Sequence, residues 1–367
     1  MDWRDDMATM TPRQCVLAAV NRQEPDRVPY ELSWGAFTPA LMEIFREKTG
    51  AEDPLEYFLV PVRPVAHRGR SKEELWQIYA RYYPGHTLDE VEISDFGVAS
   101  LPGSLWHFRK DIHPLAEAES LNDILDYPLP DPSRPEAYIH LSEETHRYHA
   151  RDLAVNGILC VTIFEVAWAI RSMEALFTDM ALRPEMAAAL LDRMMELRLV
   201  QARQLVQAGV DILSLGDDVS TQRGLMMSPA MWRKWFKPRL AAIIAEARRL
   251  RPGIPIFYHS DGDCRAIIPE LIEIGVTILN PVQPECMDPA ELKRQYGDRL
   301  AFWGTIGTQT TMPFGTPDEV RATVRERIRT VGAGGGLVLA PTHILEPDVP
   351  WENILAFFEA VECYGTK

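Results

Sequence analysis

Two histidines and a set of carboxylates stand at the ends of apolar runs, and these are the residue types that can do chemistry. His259 and Asp261 follow the run 254–258, and His343 follows 337–340; Asp217 and Asp218 follow 210–215, and Glu165 follows 158–164. Imidazole and carboxylate in this mixture either hold a divalent metal or exchange protons with a substrate. His259-Ser260-Asp261 puts two ligand types in one short loop, and His343 joins from a segment distant in sequence, which is how catalytic metal sites are commonly assembled. His259, Asp261 and His343 are therefore candidate metal ligands, and Asp217, Asp218, Glu165 and His343 candidate catalytic groups. Glu31, Trp34, Trp168, Asn280, Gln283 and Gln309 also lie at or just beyond apolar runs and are candidates for holding a substrate. A plainer alternative stays open, in which Asp261-Gly262 is a turn, Asp263 caps the next helix and His259 only hydrogen-bonds a carboxylate.

The elements that would position these groups are short strands alternating with amphipathic helices. Eight apolar runs (28–32, 91–98, 158–164, 210–215, 254–258, 276–280, 300–304, 337–340) are each followed by a helix or crossover, the pattern of an α/β chain forming a single (β/α)8 TIM barrel with N-terminal elaborations. In such a barrel the strand C-termini form the active-site face. Helix starts are marked by Thr11-Pro12, Ser228-Pro229 and the capping box Thr316-Pro317-Asp318-Glu319; a long helix is expected from Pro184 to Gln207, stopping at Gly209. Between 51 and 136 proline and charge interrupt the periodicity. The basic cluster Arg63, His67, Arg68 and Arg70 reads there as a solvated loop. The glycines at 332 and 334–336 follow a helix and precede a strand, the wrong order for a phosphate cradle.

Composition narrows the function classes. The 367 residues hold 53 Asp and Glu against 38 Lys and Arg, a formal charge of −15 that argues against a nucleic-acid surface. Five scattered cysteines without a Cys-x-x-Cys pair suggest neither a disulfide framework nor a thiolate zinc ribbon. No apolar run reaches the roughly 18 residues a membrane span needs. The expectation is a cytoplasmic enzyme with a small-molecule substrate, no nucleic acid and no membrane, a flexible segment over 1–10 and one barrel over 11–367; a homodimer is compatible with it.

The residues also resemble the uroporphyrinogen decarboxylase superfamily, which includes corrinoid-linked methyltransferases. The matching pieces include Gly216-Asp217-Asp218-Val219, Met227-Ser228-Pro229, His259-Ser260-Asp261-Gly262, Leu279-Asn280-Pro281-Val282-Gln283, Pro313-Phe314-Gly315-Thr316-Pro317 and Val349-Pro350-Trp351-Glu352-Asn353. The resemblance implies a (β/α)8 barrel with its site in the strand-end cleft. Decarboxylases of this kind carry an arginine-rich signature after the first strand, where this chain reads Leu32-Ser33-Trp34-Gly35-Ala36-Phe37. The methyltransferase branch carries a zinc signature His-x-Cys with a distant second Cys, where this chain reads His259-Ser260-Asp261 and Thr342-His343. The resemblance, nearer the methyltransferase-like branch, thus implies a divalent metal such as zinc on His259, Asp261 and His343, with a corrinoid supplied by a carrier protein. Metal-free decarboxylation through Asp217 or Asp218 and a barrel that only binds ligand stay open beside it.

Overall fold

The computed structural model describes residues 9–33, 37–103, 106 and 109–366. Its centre is a seven-stranded, all-parallel sheet built from β1 (Val62–Val65), β2 (Ala154–Ile158), β3 (Ile212–Gly216), β4 (Ile256–His259), β5 (Ile278–Asn280), β6 (Ala301–Ile306) and β7 (Leu337–Pro341), paired in that order. The sheet is curled. Val62 of β1 and Val338 and Ala340 of β7, from opposite ends of the order, share one buried cluster with Ala154, Ile212, Phe257, Ile278, Ala301 and Trp303. Alternate residues along a strand face one side, so Ala301 and Trp303 both enter this interior.

Helix α1 (Pro12–Val20) adds Val16, Ala19 and Val20 to the same cluster and so closes the end of the sheet opposite the candidate site. Its start is as expected, with the Thr11 hydroxyl accepting from the Gln14 N–H and the Gln14 side chain accepting from the Thr11 N–H. Thr9 and Met10 are held by their backbone N–H groups on the Asp26 carboxylate, each at 2.8 Å.

Strands β3 to β7 fall within two residues of the expected runs, and three other expectations need correction. The run 91–98 is not a strand of the central sheet: Glu92–Ile93 pairs antiparallel with Ala99–Leu101, which pairs with Lys110–Ile112. The central strand in this part of the chain is β1, where the sequence suggested a solvated loop. Arg63 there is buried, donating to the Val60 and Val62 carbonyls and to Glu56. Among the described residues β1 pairs with β2 alone, which suits Pro64, a residue without an N–H to give to a second neighbour. The strand expected at 158–164 lies earlier, at Ala154–Ile158. Leu159, Ile163 and Phe164 are apolar because a loop and helix start are buried, a cause that apolarity alone does not distinguish from a strand.

The segment expected as a strand at 28–32 makes one parallel bridge, Tyr30 to Leu339 of β7, with Glu31 N–H donating to Leu339 O and Leu339 N–H to Pro29 O. Helices α2 (Phe164–Arg171), α3 (Met173–Leu182) and α4 (Pro184–Gln207) follow β2, and α4 has the expected bounds. Among the described residues no helix is long and apolar enough to cross a membrane.

Candidate active site

The ends of β3, β4 and β5 lie side by side, with Gly216 paired to His259 and His259 to Asn280. This register decides what each residue does. Asn280 Nδ2 donates to the Trp303 carbonyl at 2.9 Å, an acceptor-only group, so its Oδ1 is the atom that meets His259 Nδ1 at 2.5 Å. Nδ1 must then carry the imidazole proton, and Nε2 is presented on the other side. There it lies 3.5 Å from Asp218 Oδ1 and 3.8 Å from Asp261 Oδ1. The backbone N–H of Asp261 donates to Asp218 Oδ1 at 2.7 Å, which locks the two acidic loops together.

Asp218, His259 and Asp261 can each offer one ligand atom within 4.8 Å of the others, and among the described residues this is the group that could hold a metal ion. The set differs from the expected one. Asp218 takes the third place, while His343 lines the adjoining cavity outside the 4.8 Å group. His343 enters from the loop after β7, across the sheet from β3 and β4, and chain order conveys nothing of that separation. Asp261 Oδ1 is buried without a hydrogen-bond partner, and a bound cation would satisfy it. Burial pushes the Asp261 carboxyl up to about 7; the His259 imidazole pulls it down and the Asp218 carboxylate pushes it up.

Asp217 is not a cavity residue. It is 2 % exposed, accepts from the N–H groups of Ile163 at 3.0 Å and Glu165 at 3.1 Å, and thereby caps the start of α2. These bonds give it a positioning role, since helix N-terminal N–H groups need such an acceptor. What it positions is Glu165, whose Oε2 accepts from the Asp218 N–H at 2.8 Å. Burial, then the Asp218 and Asp217 carboxylates, push the Glu165 carboxyl well above the usual range.

Two cavities flank the cluster. One, of about 510 Å³, is lined by Asp218, Asp261, Gln283, Gln309, His343 and Asp348, among others. The second, of about 410 Å³, lies between α2 and the small antiparallel sheet, and its wall includes Glu165, Trp168, Phe96, Val161 and Arg109. Gln283 and Gln309 reach the first cavity, although Gln283 Oε1 also accepts from Gly262 N–H and Gln309 Oε1 from Gln222. Asn280 is bonded to His259 and to the Trp303 carbonyl, and Glu31 accepts from the Trp303 indole at 3.1 Å. Trp34 lies outside the described residues. Sequence reasoning missed Asp348 and Arg109 as wall residues; Asp348 sits in the same loop as His343, the one signal that pointed to it. Cys264 is buried, its thiol pushed up to about 12 by desolvation.

Gly216 makes the His259 position reachable. A Cβ at Gly216 would lie 2.5 Å from His259 Cβ and 2.6 Å from its carbonyl oxygen, so no other residue fits without moving β4. Gly216→Ala is expected to cost roughly 1–3 kcal/mol by overpacking and to weaken divalent-cation binding with it. Denaturation and zinc titration of the variant check this, and wild-type values in both would show that the close approach is unimportant.

The chain was compared with known proteins. The family model for uroporphyrinogen decarboxylase (URO-D) matches residues 114–364. A methylcobamide:CoM methyltransferase, MtaA, of Methanosarcina barkeri is 29% identical over 174 residues, 47% of this chain and 48% of that protein. A uroporphyrinogen decarboxylase of Coxiella burnetii is 26% identical over 188 residues, 50% of this chain and 49% of that protein. The chain thus spans about half the length of these curated relatives. A solved methyltransferase from Methanosarcina mazei shares the fold, with a TM-score of 0.67 at 18% identity over 97% of this chain and 99% of its own. With the family model covering well over half of its residues, the chain belongs to the uroporphyrinogen decarboxylase (URO-D) family.

Proposed function

We propose that this protein is a metal-dependent methyltransferase acting on a small methylated substrate or on a corrinoid carrier, built on a closed (β/α)8 barrel in which 28–32 serves as the eighth strand. One observation carries the reading: Asn280 fixes the His259 tautomer so that Nε2 faces Asp218 and Asp261, and Asp261 Oδ1 is buried without a partner. Asp218, His259 and Asp261 would hold a divalent ion, with water or substrate completing the shell. The oxygen-rich set suits zinc or a harder cation better than a thiolate set would. When bound, the ion supplies Lewis-acid activation of an acceptor nucleophile, lowering its pKa.

The chain's own residues do the rest. Glu165, whose carboxyl burial pushes well above the usual range, stands between the cluster and the Trp168 cavity, placed for proton exchange. His343, Gln283 and Gln309 orient whatever occupies the larger cavity. The decarboxylase reading would place its acidic group on Asp218, which lines the larger cavity, since Asp217 is committed to the start of α2.

The test is metal analysis of protein purified without added ions, followed by transfer from methylcobalamin to a thiol, read as loss of methylcobalamin absorbance. About one divalent ion per chain with metal-dependent turnover is expected. His343→Ala should keep that ion and lower kcat by about 10²–10⁴-fold, as for a lost acid–base or orienting group. Metal-free wild type that releases carbon dioxide from a carboxylated substrate would establish decarboxylation instead.

Metal-free protein should show a matching pH dependence. The native Asp261 carboxyl keeps its proton to about pH 7, while the unfolded chain releases it near 4. The native state therefore binds the extra proton across that window, so the contribution of Asp261 to stability is fully present below about 4 and is lost as pH rises to 7, by at most about 1.4 kcal/mol per unit. His67, whose imidazole burial pulls down to about 4, contributes with the opposite sign over much of the same range. Asp261→Asn should flatten this slope, and saturating zinc should abolish it. The same pH dependence of melting temperature from pH 4.5 to 7 in metal-free wild type and in Asp261→Asn would contradict the assignment.

A further inference from the structure

The second cavity has two facing walls, each fixed before a ligand arrives. One is the side of α2 that carries Glu165 and, three and four residues on, Trp168 and Ala169. The other is the small antiparallel sheet, whose register sets Glu92 opposite Ser100 and Ser100 opposite Asp111, so the three side chains stand in one row. At one end the walls are joined by His113, whose Nδ1 lies 2.7 Å from the Ala169 carbonyl and whose ring meets Trp168 edge-on at 6.2 Å. At the other end Arg198 covers the Phe96 ring at 4.9 Å and donates to the Val161 carbonyl. Two polar groups of this cavity are left unanswered by the protein. Ser100 is 7% exposed, and among the described residues its hydroxyl makes no hydrogen bond. The carboxylate of the half-buried Asp111 makes none among them either. Its charged neighbours are His113 and Arg109, and Arg109 is exposed and stacks on Trp106 at 4.7 Å. Glu92, by contrast, is exposed and bonded to Lys72 at 3.2 Å.

We propose that this cavity binds an apolar amine, with its ammonium on Asp111 and Ser100 and its hydrocarbon body against Trp168 and Val166. A carboxylate and a hydroxyl both accept hydrogen bonds, and an ammonium brings three donors and no acceptor. The charge-assisted bond to Asp111 is stronger in a half-buried site than in water. Burial pushes the Asp111 carboxyl above its ordinary range, and an ammonium against it favours the charged form. The body falls among Ile93, Val98, Val166 and Trp168, a lining that suits an aromatic or branched chain. A carboxylate in the same place would face Asp111, with only the exposed Arg109 to receive it. On the methyl-transfer reading an amine here is one of the two reactants, because Glu165 on this wall is bonded to Asp218 of the larger cavity. The binding site itself does not rest on that reading.

Phenethylamine, phenethyl alcohol and phenylpropionate share one skeleton and differ in the terminal group. Metal-free and zinc-loaded protein are each titrated with them calorimetrically at low salt. The amine is expected to bind at least about tenfold tighter than the carboxylate, a gap of about 1.4 kcal/mol, with the alcohol between them. Asp111→Asn, which keeps the shape of the side chain, should weaken the amine by about tenfold and leave the alcohol within about twofold. Trp168→Ala should weaken all three. Phenylpropionate binding as tightly as the amine to wild type overturns the proposal, as does no binding of any probe at millimolar concentration. An amine preference that survives Asp111→Asn in a variant that melts like wild type also overturns it, and its loss in Asp348→Asn instead would place the amine in the larger cavity. Amine preference in protein that takes up no zinc leaves this site standing while the metal reading falls; zinc uptake without amine preference does the reverse.

Discussion

His259→Ala should abolish stoichiometric divalent-cation binding, and Asn280→Leu should weaken it by about 10–100-fold while leaving every proposed ligand in place. The two variants differ in what they remove. His259 offers a nitrogen within reach of two carboxylates, at 3.5 and 3.8 Å. Asn280 touches none of the cavity; it holds the proton on Nδ1 and the ring in its plane. Losing that bond lets the ring turn and exchange tautomers, which lowers the fraction of molecules with Nε2 ready to bind. Equilibrium dialysis with zinc measures both, and circular dichroism confirms folding. Equal loss in the two variants would mean that Asn280 acts on the fold rather than on the histidine. Undiminished zinc binding by His259→Ala would remove the cluster as a metal site.

The largest stability effect is expected from Asp179→Ala. Arg171 and Asp179 are each 1% exposed, with Arg171 Nε donating to Asp179 Oδ2 at 2.8 Å. The remaining guanidinium N–H groups go to the carbonyls of Leu115, Ala116 and Ala118, so this one side chain pins the loop 115–118 to α2 and α3. Removing the carboxylate leaves a buried cation uncompensated, which costs about 3–5 kcal/mol. Replacing the arginine as well would not restore stability, because the buried Leu115 carbonyl and the partly buried Ala116 and Ala118 carbonyls would lose their donor. Arg183 also reaches Asp179 at 2.8 Å but is 35% exposed, and Arg183→Ala should cost below about 1 kcal/mol. Urea unfolding of the three variants checks the order, and an Asp179→Ala protein within about 1 kcal/mol of wild type would show that the pair is solvated. Because the loop follows the strand Lys110–Ile112, whose Asp111 lines the Trp168 cavity, the destabilised variant should also bind ligand there less well.

Much of this protein was decided locally and could be read from the chain. The β/α alternation from 210 onward, the caps at Thr11, Ser228 and Thr316, and the bounds of α4 follow from periodicity and capping chemistry, which act over a few residues. That His259 and Asp261 sit at the end of a strand follows in the same way, since a side chain's place along its own strand is a local matter. The path before residue 154 was not legible, because β1 is short, carries Arg63 and Pro64, and owes its place to pairing with a strand some ninety residues later. Which acids face the cavity was beyond local pattern too. Asp217 and Asp218 are neighbours in sequence, yet the first is spent on the N–H groups of α2 while the second faces His259. The role of Asn280 likewise depends on the register that sets it beside His259 and under the Trp303 carbonyl. Residue type and spacing determined which groups were available for chemistry at the rim. Strand register and the curl of the sheet, which bring together residues far apart in the chain, decided which of them meet.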